Sequence, residues 1–276
     1  MYMDNTKQFF RLMEAGYKER RNRNSLSLEM LKGIIEAYYN YVEKPVFRNL
    51  VEEYKMKYIY NESRVEKNIT KEEQLGLGVV YDYICDFDYD KDYFNIFVTS
   101  LLLHQKLYSK CPNKEYGGKL RDSSVYLLDS NVEVVDAIEA QRIFNNFIST
   151  SNEVFKPLEQ NDIFGYIDSC IELDAILIKL QPFLDGNKRT FRALLNLLFK
   201  KIEIPPIYIE THERDLYKEY LFEAIKFEEY SNLIYFYYLK ICDAISELNL
   251  DLTIISNQQK VKERKKVILW NQKKNC

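Results

Sequence analysis

A mainly α-helical protein is predicted by three features of this 276-residue chain. Breakers are scarce, with eight glycines and six prolines, so long helices are favoured over a turn-rich sandwich or barrel. Apolar residues recur at helical spacing along most of the sequence. Helix start signals stand ahead of these runs. With 46% hydrophobic residues, the chain has enough apolar material for a substantial core, as one large domain or a main domain with a helical appendage.

The elements follow in order. Leu28 to Tyr41 reads as a helix, with Ser25 and Ser27 as candidate caps and Pro45 ending or bending the pattern. A second helix is predicted from about Phe47 to Glu66. Thr70 with Glu73 three residues later has the spacing of a capping box, so a third helix restarts there and runs over 72–86. The acidic stretch Asp86 to Asp90 reads as a loop, and Tyr93 to Tyr108 as a fourth helix. Around Cys111-Pro112 and Gly117-Gly118 the helical pattern breaks, and 119–129 is short, polar and β-branched enough for a hairpin. Helices are predicted over 132–150 and 164–180. Gln181-Pro182 interrupts the second of these, Gly186 permits a turn, and Lys188 to Lys200 is a strongly apolar helix. After Pro205-Pro206, helices over 213–229 and 231–247 lead into a basic tail with Lys260, Lys262, Arg264, Lys265 and Lys266.

Charge and composition narrow the function. The formal net charge is -3, from 39 basic and 42 acidic residues, so no global attraction to nucleic acid or an anionic membrane is expected. Twenty-three tyrosines and sixteen phenylalanines fall at helical spacings and read as core packing. Cysteines 85, 111, 170, 242 and 276 lack short paired spacing, so reduced thiols are expected. The first residues carry no secretory pattern and no run reaches membrane-spanning length. A cytoplasmic protein is the expectation.

The chemistry concentrates between Gln181 and Arg192. In this stretch Asp185, Gly186, Asn187, Lys188, Arg189 and Arg192 stand where an apolar segment meets a helix. Free amides and the dipole at a helix start attract anions, and a glycine lets the backbone come close to phosphate oxygens. Arg189 and Arg192, three apart, share a helix face suited to successive phosphates. Asp185 beside phosphate makes sense if a divalent cation lies between them. Taken singly, Asp185 reads as a cap, Asn187 as a turn residue and the cations as a solvated face. The ordered set supplies turn, metal ligand and phosphate donors together.

From Pro182 through Arg192 the stretch resembles the signature of the Fic (Fido) family: a histidine, then Pro-Phe, two variable residues, Gly-Asn, Gly or Lys, Arg, two more residues and Arg. Leu103-His104 with Leu107, Gly118 to Arg121 with Val125-Tyr126, and Pro205-Pro206 with Arg214 and Tyr217 extend the likeness over about residues 60 to 240. The resemblance implies a Fic-like core over 60–240, an N-terminal helical region over 1–59, and a C-terminal helical extension with the basic tail over 241–276. It also implies AMP transfer from ATP to a hydroxyl of a target protein. On that pattern Asp185 ligates Mg2+, Gly186 and Asn187 form part of the anion cradle, Arg189 contacts bridging or distal phosphate, and Arg192 binds the terminal phosphate. Lys188 is a departure from the commoner glycine that leaves donor orientation open. Gly118, Lys119, Leu120, Arg121, Val125 and Tyr126 resemble a β-hairpin flap that holds the target segment. Lys119 and Arg121 are candidates for attracting an acidic target, with solvated basic residues as the default. A homo-oligomer is compatible with all of this.

Gln181 stands where the family has its catalytic histidine. A carboxamide is not an effective base near neutral pH, and proton transfer is worth typically ~10²–10⁴-fold in rate. The other histidines, His104 and His212, read as structural and as a turn residue, and neither is placed to substitute. Three accounts of Gln181 compete: a silent nucleotide-binding or protein-interaction module, a reaction with looser base demands such as sugar-nucleotide transfer, and a substitution introduced to trap an inactive form. Phosphoryl transfer is a separate alternative that the Lys188 form leaves open. Upstream, residues 60–68 look like a degraded form of the family's inhibitory helix. Glu66 is its candidate inhibitory residue, able to pair with Arg192, while Glu62 fills the position usual for Ser or Thr.

Overall fold

The computed structural model describes residues 28–41, 51–66, 69–127, 132 and 134–247. Nine helices of more than four residues organise them: α1 (Leu28–Tyr41), α2 (Val51–Val65), α3 (Lys71–Asp86), α4 (Ile96–Tyr108), α5 (Ala137–Thr150), α6 (Ile163–Leu180), α7 (Asn187–Lys200), α8 (Arg214–Phe227) and α9 (231–247). The expected helical class is thus observed. Ser25, Ser27, Pro45 and the basic tail lie outside the described residues.

Local chemistry sets the helix starts. Thr70 accepts the Glu73 amide at 3.1 Å, while Glu73 Oε2 accepts the Thr70 amide at 2.8 Å, completing the capping box read from the sequence. Three other starts fall later or earlier than expected because a side chain caps them. Asn95 accepts from the amides of Phe97 and Val98, Asp136 from Glu139 and Asp162 from Gly165. α4 therefore begins at Ile96 rather than Tyr93, and α5 at Ala137 rather than 132.

The centre of the molecule is α7. All of its residues except Lys188 and Lys200 are buried, and it packs against α6, α4 and α3. α3 and α4 cross closely at Gly76, where a Cβ would lie 1.8 Å from the Leu107 carbonyl oxygen. Tyrosines serve this packing. Tyr38, Tyr89 and Tyr166 donate from deep positions to the carbonyls of Glu203, Leu197 and Leu198 at 2.7–2.8 Å. Asn196 exchanges two hydrogen bonds with the backbone of Ile207, pinning the extended segment that follows α7. Cys85, Cys111, Cys170 and Cys242 are free thiols.

The hairpin expected at 119–129 does not appear as paired strands among the described residues, which exclude 128–131 and 133. The backbone of Arg121 bonds elsewhere: its N–H donates to the Pro182 carbonyl at 2.9 Å, and its carbonyl accepts from Gln141 at 2.7 Å. This segment is tied to the turn before α7 and to α5.

Candidate functional site

The turn between α6 and α7 builds the site. Gln181 ends α6 in the left-handed region, with φ 49°, and its amide N–H donates back to Leu177. Pro182 cannot continue the helix, so the chain turns. Asn187 closes that turn from inside: its side chain accepts the Phe183 amide at 2.9 Å and donates to the Phe183 carbonyl at 2.8 Å and to Gln181 Oε1 at 3.0 Å. Gly186 has φ 74°, and a Cβ there would meet the Tyr108 ring at 2.9 Å. Only glycine fits that backbone in that space.

No side chain caps α7, in contrast to α3, α4, α5 and α6. Its first turn opens on a cleft of about 560 Å³ bordered by Asp185, Gly186, Lys188, Arg189, Gln181 and Glu66 among others. An uncapped 14-residue helix facing such a cleft is suited to oxyanions.

The cations are held ready by buried acids. Arg189 pairs with Glu73, and its second terminal nitrogen lies 3.5 Å from Asp185. Burial works against the Arg189 charge, but Tyr108, Glu73 and Asp185 hold its pKa above the usual arginine value. Glu73 thus both caps α3 and neutralises a site arginine; the sequence reading assigned only the first role. Asp185 keeps its side chain 76% exposed toward the cleft, accepting from the Tyr108 hydroxyl at 3.0 Å and the Gly186 amide at 2.7 Å. One open carboxylate beside phosphate donors fits magnesium, which takes one or two protein carboxylates and completes its shell with phosphate and water. Among the described residues no cluster of three or more His, Cys, Asp or Glu surrounds it.

Residues 98–199 match the Fic/DOC family model. That stretch carries a Fic domain. Over 208 residues the chain is 26% identical to the protein adenylyltransferase Fic of Nematostella vectensis, covering 72% of this chain and 46% of that protein. It is 29% identical over 149 residues to the Aedes aegypti protein of the same description, covering 54% and 28%. The chain therefore spans less than half the length of either relative. In fold it resembles Fic-1 of C. elegans, with a TM-score of 0.64 at 15% identity over 80% of this chain and 69% of that one. It likewise resembles a Fic domain containing signaling protein of Bacteroides thetaiotaomicron, with a TM-score of 0.65 at 14% identity over 79% and 95%.

Within the Fic turn, Gln181 is engaged at both ends of its carboxamide. Nε2 donates to the Ile178 carbonyl at 2.6 Å while Oε1 accepts from Asn187. Neither atom takes a proton near neutral pH. His104 stacks on Phe183, with centroids 4.0 Å apart and planes 5° apart, and joins two loops. Its Nδ1 accepts the Gly118 amide at 2.8 Å, which leaves Nε2 to donate to the Asp185 carbonyl at 3.0 Å. Burial pushes its pKa down to about 4, so the ring is a neutral brace. His212 sits exposed in the turn Thr211–Glu213, 3.2 Å from Glu210 and outside the residues bordering the cleft.

Arg192 does not border the cleft. It is buried, with Nε 2.8 Å from Glu62 and Nη1 3.1 Å from Glu66, whose other oxygen meets Lys188 at 2.9 Å. Burial alone would raise the Glu66 carboxyl, but Arg192 and Lys188 outweigh it and hold the pKa at about 2. The pairing anticipated for Glu66 is present, and Lys188 joins it. Residues 67 and 68 of the expected inhibitory segment lie outside the described residues.

On the flap side, Gly118 meets His104, Lys119 is exposed, Leu120 packs on the core, and Val125 and Tyr126 border the cleft, with Tyr126 84% exposed. Arg121 differs from the expectation of a surface cation. Its guanidinium is buried against the carbonyls of Gln181, Ser123 and Val135 at 2.5, 2.9 and 2.6 Å. Main-chain oxygens attract it inward more strongly than solvent does, because three converge on one planar fork. Lys218 of α8 also borders the cleft and was missed, since nothing in its local sequence distinguishes it.

Proposed function

We propose that this chain binds ATP with Mg2+ in the cleft above α7 and is a protein AMP transferase of the Fic type whose transfer step is strongly impaired by Gln181. The single observation that carries the reading is the uncapped α7 start, facing a cleft with Asp185, Lys188 and Arg189 on its border. The descriptions of the curated relatives as protein adenylyltransferases support the reaction class.

In this reading Asp185 holds the metal, which when bound neutralises phosphate charge. The amides of Asn187 and Lys188 and the Arg189 guanidinium receive oxyanions, with Arg189 already oriented by Glu73 and the Gly186 amide already engaged by Asp185. Asn187 contributes by shaping the turn rather than by donating to phosphate, since both ends of its carboxamide are occupied. Glu66 bars the approach to Arg192, and a terminal phosphate reaches that side only after Glu66 has moved. Val125 and Tyr126 offer the acceptor segment an exposed wall. The acceptor hydroxyl then lacks a partner for its proton, because the carboxamide of Gln181 can orient a hydroxyl but not deprotonate it.

The test crosses Gln181 and Gln181→His in a Glu66→Gly background, with ATP labelled separately on the α- and γ-phosphate. Restored histidine should raise α-label incorporation into protein by about 10²–10⁴-fold, and Asp185→Ala or Arg189→Ala should abolish it. Incorporation of γ-label would replace AMP transfer with phosphoryl transfer. Nucleotide binding that persists without Arg189 would remove the site altogether.

A further inference from the structure

Two glutamates of one helix segment reach Arg192, and they are not equivalent. Glu62 and Glu66 are four apart and share a face. Glu62 is 2% exposed and has both oxygens engaged, Oε2 on Arg192 Nε at 2.8 Å and Oε1 accepting the Ile209 amide at 3.3 Å. That amide belongs to the extended segment that Asn196 pins to α7. Glu62 does not border the cleft. Glu66 does, and it bridges Arg192 Nη1, which lies behind the cleft, to Lys188, which borders it.

We propose that Glu62 is a positioning residue: it stays on Arg192 throughout nucleotide binding and fixes the guanidinium so that Glu66 alone exchanges with phosphate. This rests on the reading of the cleft as an ATP site. The physical reason is the cost of a buried cation. Arg192 is 3% exposed, and the face of its fork that Glu66 occupies can be released only if another counter-charge remains. Glu62 supplies it from the side away from the cleft, leaving Nη1 aimed where Glu66 now sits. Departure of Glu66 frees Lys188 at the same time, so an incoming terminal phosphate meets one fixed arginine nitrogen and one mobile ammonium. Tyr217, with its ring centroid 5.6 Å from the guanidinium carbon, adds a wall that limits sideways movement.

The experiment measures ATP and ADP affinity by calorimetry, with magnesium, for the full chain and for Glu66→Gly, Glu62→Gln/Glu66→Gly and Glu62→Asp/Glu66→Gly. Circular dichroism and thermal melts report whether each is folded. Glu66→Gly should raise the preference for ATP over ADP by about tenfold, and Glu62→Gln in that background should remove the gain while ADP affinity stays within about twofold. Glu62→Asp keeps the charge and should recover part of the preference, which also serves if the glutamine variant does not fold. A preference for ATP that ignores Glu62, or a Glu62→Gln single variant that tightens ATP as Glu66→Gly does, would overturn the assignment and make Glu62 an inert or second inhibitory group. Arg189→Ala in the Glu66→Gly background separates the two levels. If ATP binding needs Arg189 but the preference ignores Glu62, only this inference fails; if Glu66→Gly binds no ATP, or binds it without Arg189, the ATP site fails and this inference with it.

Discussion

At the residue scale, the site is governed by side chains whose partners are main-chain oxygens as much as by charge pairs. Arg121 is the extreme case, a guanidinium buried on the carbonyls of Gln181, Ser123 and Val135. Burial pushes its pKa below the usual arginine value, with Asp136 opposing, so the carbonyl fork does the holding. Arg121→Ala should cost at least about 3 kcal/mol of unfolding free energy by urea titration, because hydrogen bonds to a charged donor are worth roughly 1.5–3 kcal/mol each and three carbonyls lose a partner. Arg121→Lys should recover little, since an ammonium cannot span a planar fork. A change within about 0.5 kcal/mol for the alanine variant would show that solvent replaces those bonds freely. In the sequence Arg121 looked like a candidate cation for an acidic target. A basic residue in a polar segment carries no local mark of burial; two of the three carbonyls that capture it come from positions 14 and 60 residues away.

Helices meet at fixed distances, and at the element scale two glycines with the same local appearance have opposite consequences. Gly76 lies in α3 where that helix touches the backbone of α4, and a methyl group there would meet the Leu107 carbonyl oxygen at 1.8 Å. Gly33 in α1 has nothing within 4 Å of the same position. Gly76→Ala should therefore destabilise by about 3 kcal/mol through forced separation of the two helices. Gly33→Ala should stabilise by roughly 0.5–1 kcal/mol through helix propensity and lost unfolded-state freedom. Thermal melts of the two variants should move in opposite directions; equal shifts would mean that the α3–α4 crossing yields without cost. The capping box of Thr70 and Glu73 was legible because both partners sit within four residues. The exact starts of α4 and α5 were not, because Asn95 and Asp136 become caps only when their own backbone is extended.

For the molecule as a whole, two buried groups give stability opposing pH dependences. Asp174 in α6 accepts from the Tyr237 hydroxyl at 3.1 Å, and burial raises its carboxyl to about 7 although Arg192 and Tyr237 pull it down. Its folded pKa exceeds the unfolded value near ~4, so the folded state binds the proton more tightly. That stability is complete at low pH and is lost as pH rises through about 7. His104 is reversed: its folded pKa of about 4 lies below the unfolded value, so its contribution is present above ~6.5 and lost as pH falls through about 4. Asp174→Asn should remove the first slope and leave the second. Its unfolding free energy relative to the unaltered chain should climb between pH 4 and pH 7, at up to ~1.4 kcal/mol per pH unit. Parallel curves from denaturant titrations across that range would show that Asp174 is not the group responsible. Over the described residues no helix is long and apolar enough to cross a membrane.

By itself the sequence determined the helical class, the break at Gln181-Pro182 and the turn through Gly186, because each depends on neighbours within a few residues. The tertiary structure decided which charges answer one another. Glu73 finds Arg189 across 116 residues and Glu62 finds Arg192 across 130, and neither pairing leaves a spacing that a linear reading can detect. The physical reason is that a buried cation takes its counter-charge from whichever packed helix delivers one, and that choice is made by the core around α7.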